Sequence, residues 1–176
     1  PFSKLVEYLE QYLPPGTRVK QVLIPLGRSL QRHTAEPDFF RYPRVVAAIV
    51  DEASHGTFRL RDRLYLGYQE KGDVIDVISF NAQAGRFEFQ VVNEYAAGAS
   101  ARISYASRRL CTSCHQNGGP VFARAAWSET AANPAIHNRL LSEGSRFYNI
   151  PVHRSGADAF AVDASVERAN LLPVWQ

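Results

Sequence analysis

The sequence contains no methionine and only two cysteines among its 176 residues. Two cysteines cannot supply a four-cysteine zinc site or the disulfide framework of a small secreted scaffold. No stretch of about 18 apolar residues occurs, so we expect nothing in this chain to span a membrane. The chain is 45% hydrophobic and has ten phenylalanines, which is enough for a core that needs no disulfide or metal for its stability.

Lysine is also scarce, because Lys4, Lys20 and Lys71 are the only lysines among 20 basic residues and the others are arginines. The formal net charge is +3 and the pI is about 9.0. A mildly basic, arginine-rich surface can attract an acidic partner or pair with carboxylates. No segment combines clustered basic residues with aromatic ones, so we expect no nucleic-acid binding.

The chain has neither an initiator methionine nor a leader in which basic residues precede an apolar run. We therefore expect a mature or excised product from which a signal peptide has been removed. Residues 171–176 form an apolar run without a polar tail, which suggests a fragment of a longer protein.

The first part of the chain mixes helical, ambiguous and extended patterns. Apolar residues follow helical spacing from Phe2 to Leu13, and the Pro14–Gly16 segment ends the predicted helix. Residues 19–32 are ambiguous between strand and helix, and Val45–Val50 is interpreted as a buried strand.

The middle of the chain predicts successive antiparallel strands at residues 60–69, 74–80, 86–95 and 101–105. In the third of these, Phe87, Phe89 and Val91 alternate with polar residues, as in a half-buried strand. The short connections contain Gly72 and Gly85, as hairpins require. Short helices are predicted at 123–131, 134–142 and 165–172.

These patterns predict an α+β fold with an N-terminal helix, an antiparallel sheet of four to five strands, and then a segment of loops and helices. We expect a single domain over residues 1–176. Within it, 1–56 would be a helical and loop lead-in, 57–106 the sheet, and 107–176 the loops and short helices that carry the functional motif.

That motif is Cys111-Thr112-Ser113-Cys114-His115, at the point where the predicted sheet gives way to loops. It resembles the haem-attachment sequence of c-type cytochromes, and the resemblance covers these few residues only. It implies one covalent haem c, with thioether bonds from Cys111 and Cys114 to the two vinyl groups. His115 would then be the proximal iron ligand.

Three alternatives to haem remain open at this point. A thiol–disulfide oxidoreductase would place the two cysteines at a helix N-terminus within a βαβ unit. A zinc site would need two histidines in addition to the cysteines. A structural disulfide is the third alternative, and it gives no role to the adjacent His115.

Residues after the motif are candidates for contacts with the haem. In small c-type cytochromes a proline carbonyl accepts a hydrogen bond from the proximal imidazole, and the resemblance gives this role to Pro120. Trp127 could donate its indole N–H to a propionate, and Phe122 could cover the macrocycle. Three arginines near the motif could pair with propionates, namely Arg108, Arg109 and Arg124.

The missing methionine bears on the sixth iron ligand, because a His/Met pair cannot form within this chain. A second histidine, another weak ligand such as Lys or Tyr, or an open site would replace it. His153 and His137 are the candidate distal ligands because they follow the motif, whereas His33 and His55 precede the sheet.

The expected function is that of a mono-haem c-type cytochrome that transfers single electrons without methionine ligation. Its partner would be a redox protein, and its location would be periplasmic or exported, because haem c is attached outside the inner membrane. The alternative is a haem c sensor or a peroxidase-like protein with an open or displaceable distal site. No catalytic residue is assigned.

Overall fold

Six consecutive strands form one antiparallel sheet in the computed structural model of this chain. The strands are β1 (Thr17–Ile24), β2 (Arg44–Asp51), β3 (Tyr65–Gln69), β4 (Val74–Asn81), β5 (Arg86–Asn93) and β6 (Arg102–Tyr105). Their order in the sheet is their order in the chain, so each strand pairs with the next as in a meander. The structure describes residues 1–27, 29, 31–51, 64–116, 118–121 and 129–153.

The remaining described elements are short. They are α1 (Phe2–Tyr12), a 3-10 helix (Arg32–Ala35), α2 (Arg108–Thr112), α3 (Pro134–Glu143) and a two-stranded sheet of β7 (Arg146–Phe147) and β8 (Ile150–Pro151). None of the helices in the described part of the chain is long and apolar enough to cross a bilayer.

The predicted fold class, α+β with four to five strands, is wrong. The described fold is mostly sheet, with six strands in one sheet and two in another. The difference arises at β1, which lies largely in the ambiguous residues 19–32 and pairs with β2, the strand predicted at 45–50. Both strands lie within the residues 1–56 that we expected to be a helical and loop lead-in. These two strands pair over their full length, from Thr17 opposite Asp51 to Ile24 opposite Arg44. This long-range pairing decides the structure of a segment whose local pattern is ambiguous.

Several predicted elements are confirmed. The predicted first helix matches α1, the strand at 45–50 matches β2, and the helix at 134–142 matches α3. The later strands match β3 to β6 to within a few residues at their ends. The helix predicted at 165–172, most of the one at 123–131 and residues 60–63 lie outside the described residues.

One face of the large sheet is covered by helices, and we call it the helix-covered face. Its central residues on β1 to β4 pack with Phe2 and Val6 of α1 and with Ile136 and Leu140 of α3. The sheet residues of this cluster are Leu23, Val45, Ala47, Leu66, Ile75 and Val77. Since all twelve cluster residues are buried, this face holds the main core.

The other face carries Phe89 of β5, and we call it the Phe89 face. Side chains alternate between the two faces along a strand, and residues directly opposite each other on neighbouring strands share a face. Phe89 lies opposite Ile78, Ile78 lies opposite Tyr65, and Tyr65 lies opposite Ala48. Three residues of this row (Phe89, Tyr65 and Ala48) are buried, so the Phe89 face is covered as well.

An ion pair crosses the Phe89 face between strands that are not neighbours. The guanidinium of Arg44 on β2 lies 3.3 Å from a carboxylate oxygen of Asp76 on β4. Gly67 of β3 lies between them, opposite Asp76 and opposite Val46. A Cβ atom at Gly67 would collide with the Arg44 guanidinium, so the absence of a side chain here lets Arg44 reach across β3.

We therefore expect Gly67→Ala to destabilise the fold by about 1–3 kcal/mol, because the methyl group forces Arg44 away from Asp76. Urea unfolding monitored by circular dichroism measures the change. Gly72→Ala is the matched control, since a Cβ there would meet no atom closer than 3.5 Å. Equal free energies of unfolding for the two variants would show that Arg44 does not need a glycine at position 67 to reach Asp76.

Candidate functional site

The motif cysteines lie at the end of α2, which follows β6 after two residues. Cys111 is within α2, and Cys114 and His115 come just after it. The N–H groups of Cys114 and His115 both donate to the carbonyl of Cys111, at 3.3 and 2.9 Å. Both cysteines and His115 therefore lie within one hydrogen-bonded turn of chain.

Both thiols are free of a disulfide, and they differ in exposure. Cys111 is half-buried and Cys114 is exposed. Burial, assisted by the negative charge of Asp76, raises the pKa of the Cys111 thiol. The two sulfur atoms are therefore available at or near the protein surface, and Cys111 is not set up as a thiolate.

The His115 side chain is fixed by a ring contact and by a hydrogen bond at one ring nitrogen. Its ring lies against Phe89, with centroids 5.3 Å apart, and its Nδ1 is 2.8 Å from the carbonyl oxygen of Gly119. A carbonyl can only accept, so this hydrogen bond requires the hydrogen on Nδ1 and leaves Nε2 with a free lone pair. Burial lowers the pKa of His115, which favours the neutral ring. That tautomer is the one that ligates a metal through Nε2.

The backbone after His115 explains how the carbonyl reaches the ring. Gly118 has a φ of 69°, a left-handed conformation that favours glycine. At Gly119 a Cβ atom would lie 2.8 Å from the Phe87 ring, so only glycine fits this approach to β5. The accepting carbonyl is thus that of Gly119, one residue before the predicted Pro120. Pro120 itself is buried beside it, and its role in cofactor binding stays a prediction.

Exposed apolar side chains flank the motif in the sequence. Leu110 and Val121 are 52% and 51% exposed. Tyr105 on the edge strand β6 is 69% exposed, but it belongs to the helix-covered face, because it lies opposite Gln90 and Gln90 lies opposite Val77. Apolar exposure beside the motif is therefore shown for Leu110 and Val121.

The charged residues in the segment around the motif are all arginines. No Asp or Glu occurs between Glu94 and Glu129, whereas four arginines do. Of these, Arg108 donates to the carbonyl of Phe87 at 2.9 Å and lies over the Phe89 ring, so it also holds α2 against β5. Arg109 is exposed and available to a ligand.

The structure does not bring the predicted distal histidines to His115. His137 belongs to α3, which packs on the helix-covered face, and its Nδ1 is buried without a hydrogen-bond partner. His153 follows β8 and lines a small cavity with Leu23 and Ile150, which both belong to the core of that face. His115 instead packs on the Phe89 face.

His33, which precedes the sheet, has an exposed side chain whose Nδ1 lies 3.4 Å from a Glu36 carboxylate oxygen. The predicted contacts Trp127, Phe122 and Arg124 lie outside the described residues, as does His55.

The geometry does not match the alternatives to haem. Every strand pair in the described sheets is antiparallel, and Cys111 lies near the end of α2 rather than at its N-terminus. Both features differ from the βαβ setting of a redox Cys-x-x-Cys, as does the raised pKa of Cys111. Among the described side chains, no group of three or more His, Cys, Asp or Glu could hold a metal ion such as zinc.

Comparison with protein-family models, curated proteins and solved structures finds no match to this chain. The assignment of the site therefore depends on its residues and their geometry.

The lowered pKa of His115 predicts a pH dependence for the haem-free protein. Below about pH 6.5 the unfolded chain takes up a proton at His115, whereas the folded protein does so only at lower pH. Stability should therefore fall as the pH drops from about 6.5 through the lowered pKa of the folded state. Urea unfolding at several pH values should show a smaller loss in His115→Gln than in the wild type. The exposed His33→Gln is the control, and a wild-type-like slope in His115→Gln would contradict the prediction.

Proposed function

We propose that this chain carries one covalently bound haem c. Cys111 and Cys114 would form the thioether bonds, and His115 would be the proximal iron ligand. The observation that carries the proposal is the hydrogen bond from His115 Nδ1 to Gly119, which leaves Nε2 free directly after two unpaired thiols. In proteins whose histidines bind metals, the second ring nitrogen is held in this way.

The exposed apolar residues beside the motif also support the proposal. Leu110 and Val121 are each more than half exposed. A bound porphyrin would remove apolar surface of this kind from water, at about 25 cal/mol per Å² of area. The residues present therefore suit both the covalent attachment and the apolar character of a haem.

We propose one-electron transfer as the function of the haem protein, for which a bound haem supplies the iron couple. Cys114 is exposed and Cys111 half-buried, so the attachment residues are close to a docking partner. Arg102 and Arg109 are exposed in a segment without acidic residues, which suits a redox partner protein with an acidic surface. Attachment of haem c also places the protein in the periplasm or outside the cell.

The first test is covalent attachment. After co-expression with the haem c maturation machinery, the intact protein mass should increase by one haem, and acid-acetone extraction should not remove it. The double variant Cys111→Ala/Cys114→Ala should lose the haem because no thioether can form. Ser113→Ala, which changes only a spacer residue of the motif, should keep it. A wild-type protein without added mass would refute the proposed function.

A second candidate is a haem protein with an open distal site, which senses or reacts with a small ligand. The observation in its favour is that His137 and His153 lie with the helix-covered face, whereas His115 lies on the other. This separation would leave the distal side of the iron without either histidine. Carbon monoxide would then have access to the ferrous protein.

Spectra of the wild type and of two variants separate these candidates. With an open site, the wild type should be high-spin and bind carbon monoxide, and His137→Ala and His153→Ala should leave its spectra unchanged. If either histidine is the distal ligand, the wild type should be low-spin and six-coordinate. The corresponding alanine variant alone should then gain carbon monoxide binding. That second pattern would exclude the open-site candidate.

A further inference from the structure

The Arg44–Asp76 ion pair lies in the same layer as His115. Asp76 and Phe89 are diagonal neighbours on one face, because Phe89 lies opposite Ile78 and Asp76 is two residues before Ile78. Such neighbours have Cα atoms about 7–8 Å apart. The His115 ring packs on Phe89, and Asp76 of the ion pair is the diagonal neighbour of Phe89. The imidazole and the ion pair therefore both lie next to this side chain.

The ion pair is partly shielded from solvent. The side chain of Arg44 is 20% exposed and that of Asp76 is 32% exposed. The Nε atom of Arg44 is buried and has no hydrogen-bond partner, and Ser29 Oγ lies 3.4 Å from Asp76 Oδ2. Charges in such a setting are screened less than surface charges, so each acts over a longer distance.

The electrostatics of the site agree with this placement. Arg44 contributes to lowering the pKa of His115, and Asp76 acts in the opposite direction. Asp76 also contributes to raising the pKa of Cys111. The charges of Arg44 and Asp76 therefore act on His115 in opposite directions, and the charge of Asp76 also acts on Cys111.

We propose that the Arg44–Asp76 ion pair sets the reduction potential of the iron that His115 would ligate. The inference rests on the proposed haem attachment. Neither residue is a ligand, and both act through the electrostatic field at His115. The negative charge of Asp76 stabilises the ferric state, which carries one more positive charge than the ferrous state. The guanidinium of Arg44 has the opposite effect, so the wild-type potential reflects the balance of the two.

Single and double variants of the haem-loaded protein test this balance by spectroelectrochemical titration. Asp76→Asn should raise the midpoint potential, because the positive charge of Arg44 is no longer balanced. Arg44→Gln should lower it, and the double variant Arg44→Gln/Asp76→Asn should lie between the two. Glu143→Gln, which breaks the Arg139–Glu143 ion pair of α3, should leave it at the wild-type value.

Opposite shifts with an intermediate double variant would support the inference, since a purely structural disturbance has no reason to change sign. Shifts of the same sign, or none beyond that of Glu143→Gln, would overturn it. If Arg44→Gln does not fold because Asp76 is left unpaired, Asp76→Asn and the double variant still decide the matter. A wild type without covalent haem would refute the proposed function itself, which mass spectrometry distinguishes from unchanged potentials.

Discussion

Both faces of the six-stranded sheet carry buried side chains, and the segment that covers the second face also carries the site. Helices α1 and α3 cover one face with an apolar core. At β5 the other face is covered by the segment that begins with α2, because His115 packs on Phe89 and Gly119 approaches Phe87. The motif is therefore held by strand residues that lie more than 20 positions earlier in the chain. A rigid sheet beneath a loop is a common way to position functional residues.

The turn from His115 to Pro120 connects that packing to the chemistry of the imidazole. Gly118 permits the left-handed backbone, and Gly119 permits the close approach to Phe87. Because of both, the carbonyl of Gly119 is positioned to accept from Nδ1. The ring is then fixed in one tautomer with Nε2 available. The site is thus pre-arranged by backbone geometry and needs few specific side chains.

Sequence patterns predicted the elements whose signals are local. Alternation at Phe87 and Phe89 identified β5. The helix predicted at 134–142 matches α3, which begins where the Asn133 side chain accepts from the N–H of Ala135. The motif residues were identified from spacing alone. The sheet size was not, because β1 has an ambiguous local pattern and is stabilised by pairing with β2 residues that lie 20 to 34 positions later in the chain. The role of Gly119 rather than Pro120 was missed as well, although two consecutive glycines indicate a close backbone approach.

The Arg44–Asp76 pair could not have been found from the sequence, since it depends on the register of three strands. A glycine inside a strand, as at Gly67, is the only local signal that something lies close to the backbone. In stability terms the pair is a weak contributor, because removing two charges from water costs about as much as their attraction returns. Replacing a buried ion pair by apolar residues of similar size is often neutral or stabilising, so the stability of the fold alone does not require this pair. The proposed electrostatic role beside His115 would account for the three strand positions that the pair occupies.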